Sequence, residues 1–284
     1  MNSLRLALLA IVFAVAAVAG WQMAGSPVFW PSLAGPPQVV ALVPAGLPPP
    51  VAPPAVPTLE NIRALVEARI AAAPAYAAYF ARLREAFPAE YPGILDAMAQ
   101  PAFASAAKGA GSGSVDEDIA LAMRRLRQTH GILAARADLA TLDRLPLAQL
   151  AIMRQLAAGD QKLCVDYFYG GGTRDFYGFS ALNRVLVANL ATASLDAIAQ
   201  GRDRKETPPE PGDADIQTFD DALASSGLGR AEIDVLLEGK TSGAPLDDAS
   251  LCHAGLVYLQ VALSLPGSIR LPLLSRSAAL AARS

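Results

Sequence analysis

The sequence predicts an all-α fold: a multi-helix globular domain that follows an N-terminal hydrophobic helix and a Pro-rich linker. Three observations favour helices: about one residue in five is alanine, only 6% are aromatic, and no segment alternates apolar and polar residues for long. Alanine is the strongest helix former, whereas aromatic and β-branched residues favour strands. We expect about eight to ten helices in the domain.

Composition and charge exclude two broad classes of protein. The chain is 53% hydrophobic and 17% charged, which is too apolar for an intrinsically disordered chain. Its 23 Lys and Arg against 26 Asp and Glu leave a net charge of -3. A nucleic-acid-binding domain normally carries a clear basic excess, so we expect no nucleic-acid partner.

The first element is an uncharged apolar run over residues 6–19, which follows the positively charged Arg5. One interpretation is a cleaved signal peptide. Such a peptide has a positive start, an apolar run of about 7 to 15 residues and a small-x-small cleavage site, which residues 17–19 (Ala-Val-Ala) supply. In this interpretation the mature protein is secreted to the periplasm.

The same segment also fits an uncleaved membrane anchor. A transmembrane helix needs about 17 to 25 mostly apolar residues, and residues 4–24 supply that length, with Trp21 suited to the membrane interface. No Lys or Arg follows Arg5 until Arg63, so the positive end is expected to stay in the cytoplasm. We assign residues 1–25 to a signal anchor or signal peptide and expect the remainder outside the cytoplasm.

Residues 26–57 form the second element, a linker without a single charged residue. Its second part, residues 44–57, is rich in proline, which lacks an amide donor and fixes its own backbone angle. At about 3.1 Å per residue, an extended polyproline-like stretch of this length reaches roughly 40 Å. We expect a spacer that holds the domain of residues 58–284 away from the membrane.

Beyond the linker, apolar residues recur at helical spacing. Thr58 is suited to cap a first helix, whose apolar stripe runs from Leu59 to Ile70 and which ends near Pro74. The same spacing, together with the prolines and glycines that end helices, predicts further helices at 75–87, 94–107, 146–158, 161–169, 179–200, 215–225, 230–238, 247–265 and 275–282. Although residues 251–265 are apolar, the run is too short for a membrane span and is expected as a core helix.

The clearest helix start is at Ser114. Ser114 and Glu117 have the spacing of a capping box, in which each side chain satisfies a free backbone donor of the other residue. The helix is expected to keep an apolar face as far as Ala137. Its cationic residues Arg124, Arg127 and His130 are expected on a charged outer face.

The chain has two cysteines, Cys164 and Cys252. An even number of cysteines in an exported chain predicts one disulfide. The alternative is a nucleophilic Cys164 with His253 as its base. Two His and two Cys that lack the short spacing of metal ligands predict no metal site.

A stretch rich in aromatic and glycine residues, 166–179, is the candidate binding site, and we name it the aromatic corner. Consecutive glycines at its centre let backbone amides converge, and such a turn can hold an anion. The alternative is that the aromatic rings cover the core and the glycines only permit the turn. The candidate ligand-binding residues are Tyr167, Tyr169, Arg174, Asp175 and Tyr177.

No complete catalytic set and no cofactor motif occurs in the sequence. Residues 178–182 begin like the nucleophile elbow of hydrolases but end in leucine, and no strand is predicted before them. We therefore expect a membrane-tethered extracytoplasmic protein with a non-catalytic binding or scaffolding role in the cell envelope. Its expected partners are the membrane, through the N-terminal helix, and an envelope protein or a glycan.

Two alternatives from other classes remain open. One is an envelope enzyme that acts on glycan or peptidoglycan, with Asp166 or Asp175 as the acid and the tyrosines as a platform for the sugar. The other is an accessory subunit of a membrane complex, in which the linker and the Leu-rich residues 269–274 contact a partner.

Overall fold

The computed structural model describes residues 58–106, 113–170, 174–239 and 245–283. Within these ranges there are twelve α-helices, a 3₁₀ helix at Gly131–Arg136 and no strand, so the all-α prediction is confirmed there. The predicted N-terminal helix and the Pro-rich linker lie outside the described residues. The helices are α1 (Leu59–Ala71), α2 (Pro74–Ala86), α3 (Tyr91–Ala106), α4 (Val115–His130), α5 (Leu139–Gly159), α6 (Gln161–Phe168), α7 (Arg174–Leu182), α8 (Arg184–Asp203), α9 (Asp213–Ser225), α10 (Arg230–Glu238), α11 (Asp248–Ser264) and α12 (Gly267–Ala281).

The structure has more helical segments than the expected eight to ten, and two of the predicted helices are interrupted. The helix predicted at 179–200 is interrupted at Asn183. Residues before Asn183 belong to α7, and residues after it form α8. The helix that begins after Ser114 ends at His130, and the 3₁₀ helix carries the chain onward to Arg136. Apolar spacing alone did not reveal either interruption.

Prolines misled the prediction of two helix starts. The helix predicted from Pro146 begins at Leu139, because the Asp138 side chain accepts a 2.9 Å hydrogen bond from the Thr141 amide and caps it. The helix predicted from residue 275 begins at Gly267 and contains Pro272. A proline inside a helix removes one backbone hydrogen bond, and the packing of the helix offsets that loss here.

The predicted capping box at the start of α4 is confirmed. The Ser114 hydroxyl accepts a 3.2 Å hydrogen bond from the Glu117 amide, and the Glu117 carboxylate accepts a 2.9 Å bond from the Ser114 amide. Behind this cap, Ile119, Ala122 and Leu126 are buried on the face that the sequence predicted.

The helices share one hydrophobic core, and α8 is its most buried long element. It packs against α2, α4, α5 and the 3₁₀ helix, and ten of its residues are buried, whereas Val185 and Asn189 lie on an exposed face. At Gly201, α8 lies directly against the 3₁₀ helix: a Cβ atom there would stand 1.8 Å from the backbone oxygen of Leu133. Only a residue without a side chain allows this approach.

The apolar stretch 251–265 lies within α11, which the structure places in the core as predicted. Cys252, Tyr258, Leu259 and Val261 of this helix are all buried. Among the helices of the described residues, none combines the length and the apolar character that a bilayer span requires.

A buried carboxylate joins three helices at one end of the core. Asp116 of α4 is 3% exposed and accepts a 2.8 Å hydrogen bond from the Tyr76 hydroxyl of α2. It also accepts two hydrogen bonds from the Arg184 guanidinium of α8, at 3.1 and 2.9 Å. A buried carboxylate is tolerated only with such partners, so this network fixes where α2 and α8 meet α4.

Asp116→Asn tests the contribution of this charge. The substitution keeps the size of the side chain but leaves Arg184 without an anionic partner, so we expect the free energy of unfolding to fall by about 1 to 2 kcal/mol. Urea unfolding followed by circular dichroism measures the change. Asp248→Asn is the matched control, because Asp248 is exposed in the first turn of α11, and it should change stability by less than about 0.5 kcal/mol. Equal effects of the two substitutions would show that the network contributes nothing beyond an ordinary surface carboxylate.

Candidate functional site

The two cysteines come together in the core, between α6 and α11. The Sγ atoms of Cys164 and Cys252 lie 2.02 Å apart, which is disulfide distance, and both residues are buried. The pairing predicted from the sequence is therefore present in the structure. His253, the base of the alternative nucleophilic pair, is exposed on α11, whereas the sulfur atoms are buried.

In the aromatic corner, three of the rings stack on one another. The ring of Tyr167 stacks on Phe176 with 5.2 Å between centroids, and Phe176 stacks on Phe179 at 5.6 Å. Tyr167 is buried, and burial raises the pKa of its phenol well above the ordinary value. Tyr167 and Phe176 thus pack in the core, as the alternative interpretation of this stretch expected.

The remaining candidate residues of the aromatic corner differ in exposure. Tyr169 and Tyr177 are half-buried, and Asp175 is exposed in the first turn of α7. Arg174 begins α7, but its side chain lies outside the described part, as do residues 171–173. Asp166, the other candidate acid, forms a 2.6 Å ion pair with Lys162 one turn earlier on α6. A binding role for these residues stays a prediction.

A second candidate site, which the sequence did not predict, is a cavity between α2, α4, α5, α8, α12 and the 3₁₀ helix. We name it the central cavity. The centre of a water molecule can occupy ≈ 60 Å³ of it, which is room for about four to six water-sized groups. Its wall is mainly apolar and includes Met123, Leu126, Leu145, Leu190, Ala191, Ile198 and Ala278.

Four polar side chains interrupt this apolar wall. Tyr79 is 1% exposed, and its hydroxyl has no hydrogen-bond partner among the described residues. Gln149 is buried nearby in the same wall, and the Ser194 hydroxyl donates to the Leu190 carbonyl of its own helix. The fourth is Arg127, which is half-buried. Burial raises the pKa of the Tyr79 phenol, so at neutral pH it is a neutral group that can donate a hydrogen bond.

Arg127 supplies the positive charge that lines the central cavity. In the part of the chain that the structure describes, neither Arg127 nor Arg124, one turn before it, forms an ion pair or a hydrogen bond. Loss of hydration lowers the pKa of the Arg127 guanidinium, and the positive charge of Arg124 lowers it further. A guanidinium nevertheless stays charged in proteins, so the cavity is lined by a partly dehydrated and unpaired cation.

Gly131 makes room for this cation. A Cβ atom at Gly131 would stand 2.9 Å from Cγ of Arg127 and 3.0 Å from Cβ of Ala282. The aliphatic stem of Arg127 therefore passes over the junction of α4 and the 3₁₀ helix, next to the end of α12. This position differs from the charged outer face that the sequence predicted for Arg127. Its neighbour His130 forms a 3.0 Å contact with Glu90.

Comparison with known proteins adds no assignment for either site. No protein-family model, curated protein or solved structure matches the chain. Among the described residues, no group of three His, Cys, Asp or Glu side chains is arranged to hold a metal ion.

Proposed function

We propose that this chain is a membrane-tethered helical protein of the cell envelope whose domain binds a ligand without transforming it. The proposal rests on the kinds of residue that line the central cavity. Its wall is apolar, its polar groups include an unpaired guanidinium and a phenol, and none of its described lining residues is a carboxylate, histidine or cysteine. Such a lining can hold and orient a ligand through apolar contact and a few hydrogen bonds.

The extracytoplasmic location rests on three independent features. The apolar run 6–19 is suited to enter a bilayer, and the uncharged, Pro-rich residues 44–57 are suited to hold the domain at a distance from it. The third feature is the buried pair of Cys164 and Cys252 at disulfide distance. Disulfides persist in oxidising compartments such as the bacterial periplasm, so this pair supports an exported domain.

A fusion experiment tests the proposed location. A reporter enzyme that becomes active only after export, fused to the C-terminus of the full chain, is expected to be active. Deletion of residues 6–19 should silence it, because the run that enters the bilayer is then missing. Deletion of residues 44–57 is the control, since it shortens the spacer and leaves the run intact.

Fractionation of the same cells completes the test. A domain in the membrane fraction indicates an uncleaved anchor, and a soluble periplasmic domain indicates a cleaved signal peptide. A silent full-length fusion, or a cytoplasmic chain with both thiols free, would contradict the proposal.

One observation supports a second candidate, an accessory subunit of a membrane complex. It does not come from the expected contact residues 269–274, because Leu273 and Leu274 are buried in the core. Leu182 is 86% exposed and Val185 is 64% exposed, and the two residues flank the junction of α7 and α8. A partner that covers these two side chains would remove their apolar surface from water. Recovery of the full chain in a stable larger assembly after gentle solubilisation would favour this candidate over a lone binding protein.

The glycan-enzyme alternative has less support. The space beside Tyr177 admits the centre of a water molecule over only ≈ 20 Å³, too little for a sugar ring. The carboxylate that lines it, Asp116, is already held by Tyr76 and Arg184.

A further inference from the structure

We infer that the central cavity binds a single-chain amphiphile with a carboxylate head, such as a medium-chain fatty acid. The alkyl chain lies against the apolar wall, and the carboxylate accepts hydrogen bonds from the guanidinium of Arg127. This inference rests on the proposed binding function and adds the chemical class of the ligand.

The shape and lining of the cavity select a slim apolar chain. The volume open to the centre of a water molecule, ≈ 60 Å³, is small and suits a slim chain better than a bulky ring system. Ala191 of α8 and Ala278 of α12 line this space, and larger side chains at these positions would reduce it. Each methylene that leaves water for such a wall contributes about 0.8 kcal/mol, so a medium-length chain supplies most of the affinity.

The polar groups of the cavity select an acceptor that carries negative charge. Arg127 and Tyr79 are both donors without a partner among the described residues, so the cavity offers hydrogen bonds that no protein acceptor uses. The positive charge of Arg124, one turn away, adds to that of Arg127. A carboxylate satisfies this arrangement, because it accepts several hydrogen bonds and neutralises a guanidinium. A neutral or cationic ligand would leave the Arg127 charge unpaired.

The test is isothermal titration calorimetry of octanoate into the full chain, which is reconstituted in nanodiscs of zwitterionic phosphatidylcholine. Empty nanodiscs provide the blank, and the lipid itself carries no net charge that could occupy the site. We expect octanoate to bind at least about tenfold more tightly than 1-octanol, because the alcohol lacks the charge that pairs with Arg127. Acetate, which has the head without the chain, should show no measurable binding.

Two substitutions on one helix separate the cavity from general surface charge. Arg127→Gln keeps most of the stem but removes the charge, and it should raise the Kd for octanoate about tenfold. Arg125→Gln is the matched control, because Arg125 is exposed on the same helix, and it should change the Kd less than about twofold. Ala191→Leu fills the cavity and should abolish binding of both octanoate and octanol. Circular dichroism of each variant shows whether the fold is kept.

The outcomes distinguish this inference from the proposed function. If octanol binds as tightly as octanoate and Ala191→Leu removes both, the cavity is a ligand site but the carboxylate inference is wrong. An unchanged octanoate affinity in Arg127→Gln would also overturn the inference. If neither compound binds and Ala191→Leu changes nothing, both the inference and a binding role for the cavity are wrong.

Discussion

Replacing both Cys164 and Cys252 with alanine is expected to lower the free energy of unfolding by about 4 kcal/mol. The two cysteines are separated by 88 residues. In the chain-entropy model, a crosslink that closes a loop of this length restricts the unfolded chain by about 4 to 5 kcal/mol. For a domain of this size, the loss corresponds to a fall in Tm of roughly 10 °C. Thermal unfolding followed by circular dichroism, with the oxidised wild type as reference, measures it.

The single substitutions serve as controls for the cysteine experiment. Cys164→Ala and Cys252→Ala each remove the crosslink, so each should destabilise the chain nearly as much as the double substitution does. A reducing agent should lower the Tm of the wild type and leave that of the double variant unchanged. If the double variant unfolds within about 1 kcal/mol of the oxidised wild type, the cysteine pair does not contribute as a crosslink.

Gly201→Ala is expected to lower the free energy of unfolding by about 3 kcal/mol. The added methyl carbon would stand 1.8 Å from the backbone oxygen of Leu133 and 2.7 Å from its carbonyl carbon. Because the obstacle is backbone and not the end of a flexible side chain, α8 and the 3₁₀ helix have to separate. Overpacking of this kind costs about 1 to 3 kcal/mol or more, and a backbone clash lies at the upper end. Urea unfolding measures the loss.

Gly178→Ala is the matched control for Gly201→Ala. Gly178 lies inside α7 and is exposed. A Cβ atom added there would have no atom within 4 Å beyond its chain neighbours and the backbone of its own helix. Alanine at an unobstructed helical position is favoured over glycine by about 0.5 to 1 kcal/mol, so this variant should be unchanged or slightly more stable. If both alanine variants are stabilised, the close approach at Gly201 does not constrain the fold.

Local chemistry predicted part of the fold well. The capping box at Ser114, the apolar face behind it, and the ends of α9 and α10 depend on residues within a few positions of one another. The prediction was wrong where it used prolines and apolar spacing alone to place the ends of helices. Pro146 lies inside α5 because Asp138 caps the helix earlier, and Asn183 interrupts a run whose apolar spacing continues across it.

The two candidate sites also differ in how far the sequence predicts them. The cysteine pair could be predicted because an even count in an exported chain is sufficient to suggest it. The central cavity could not, because its wall comes from six helical segments that are far apart in the sequence, and small residues of α8 and α12 are among those that line it. For Arg127, the sequence offers only a cation on an amphipathic helix. Its partial burial depends on the positions of Gly131 and the end of α12, which the folded structure shows.

The position of α12 in the wall of the central cavity has a consequence for biogenesis. Tyr79 is synthesised early and Ala278 late, yet both line the same space. A nascent chain that is threaded across the membrane from its N-terminus therefore has no finished pocket until nearly the whole domain has emerged. If the domain is exported and binds a ligand as proposed, loading follows translocation, and the domain has to fold first with the central cavity empty.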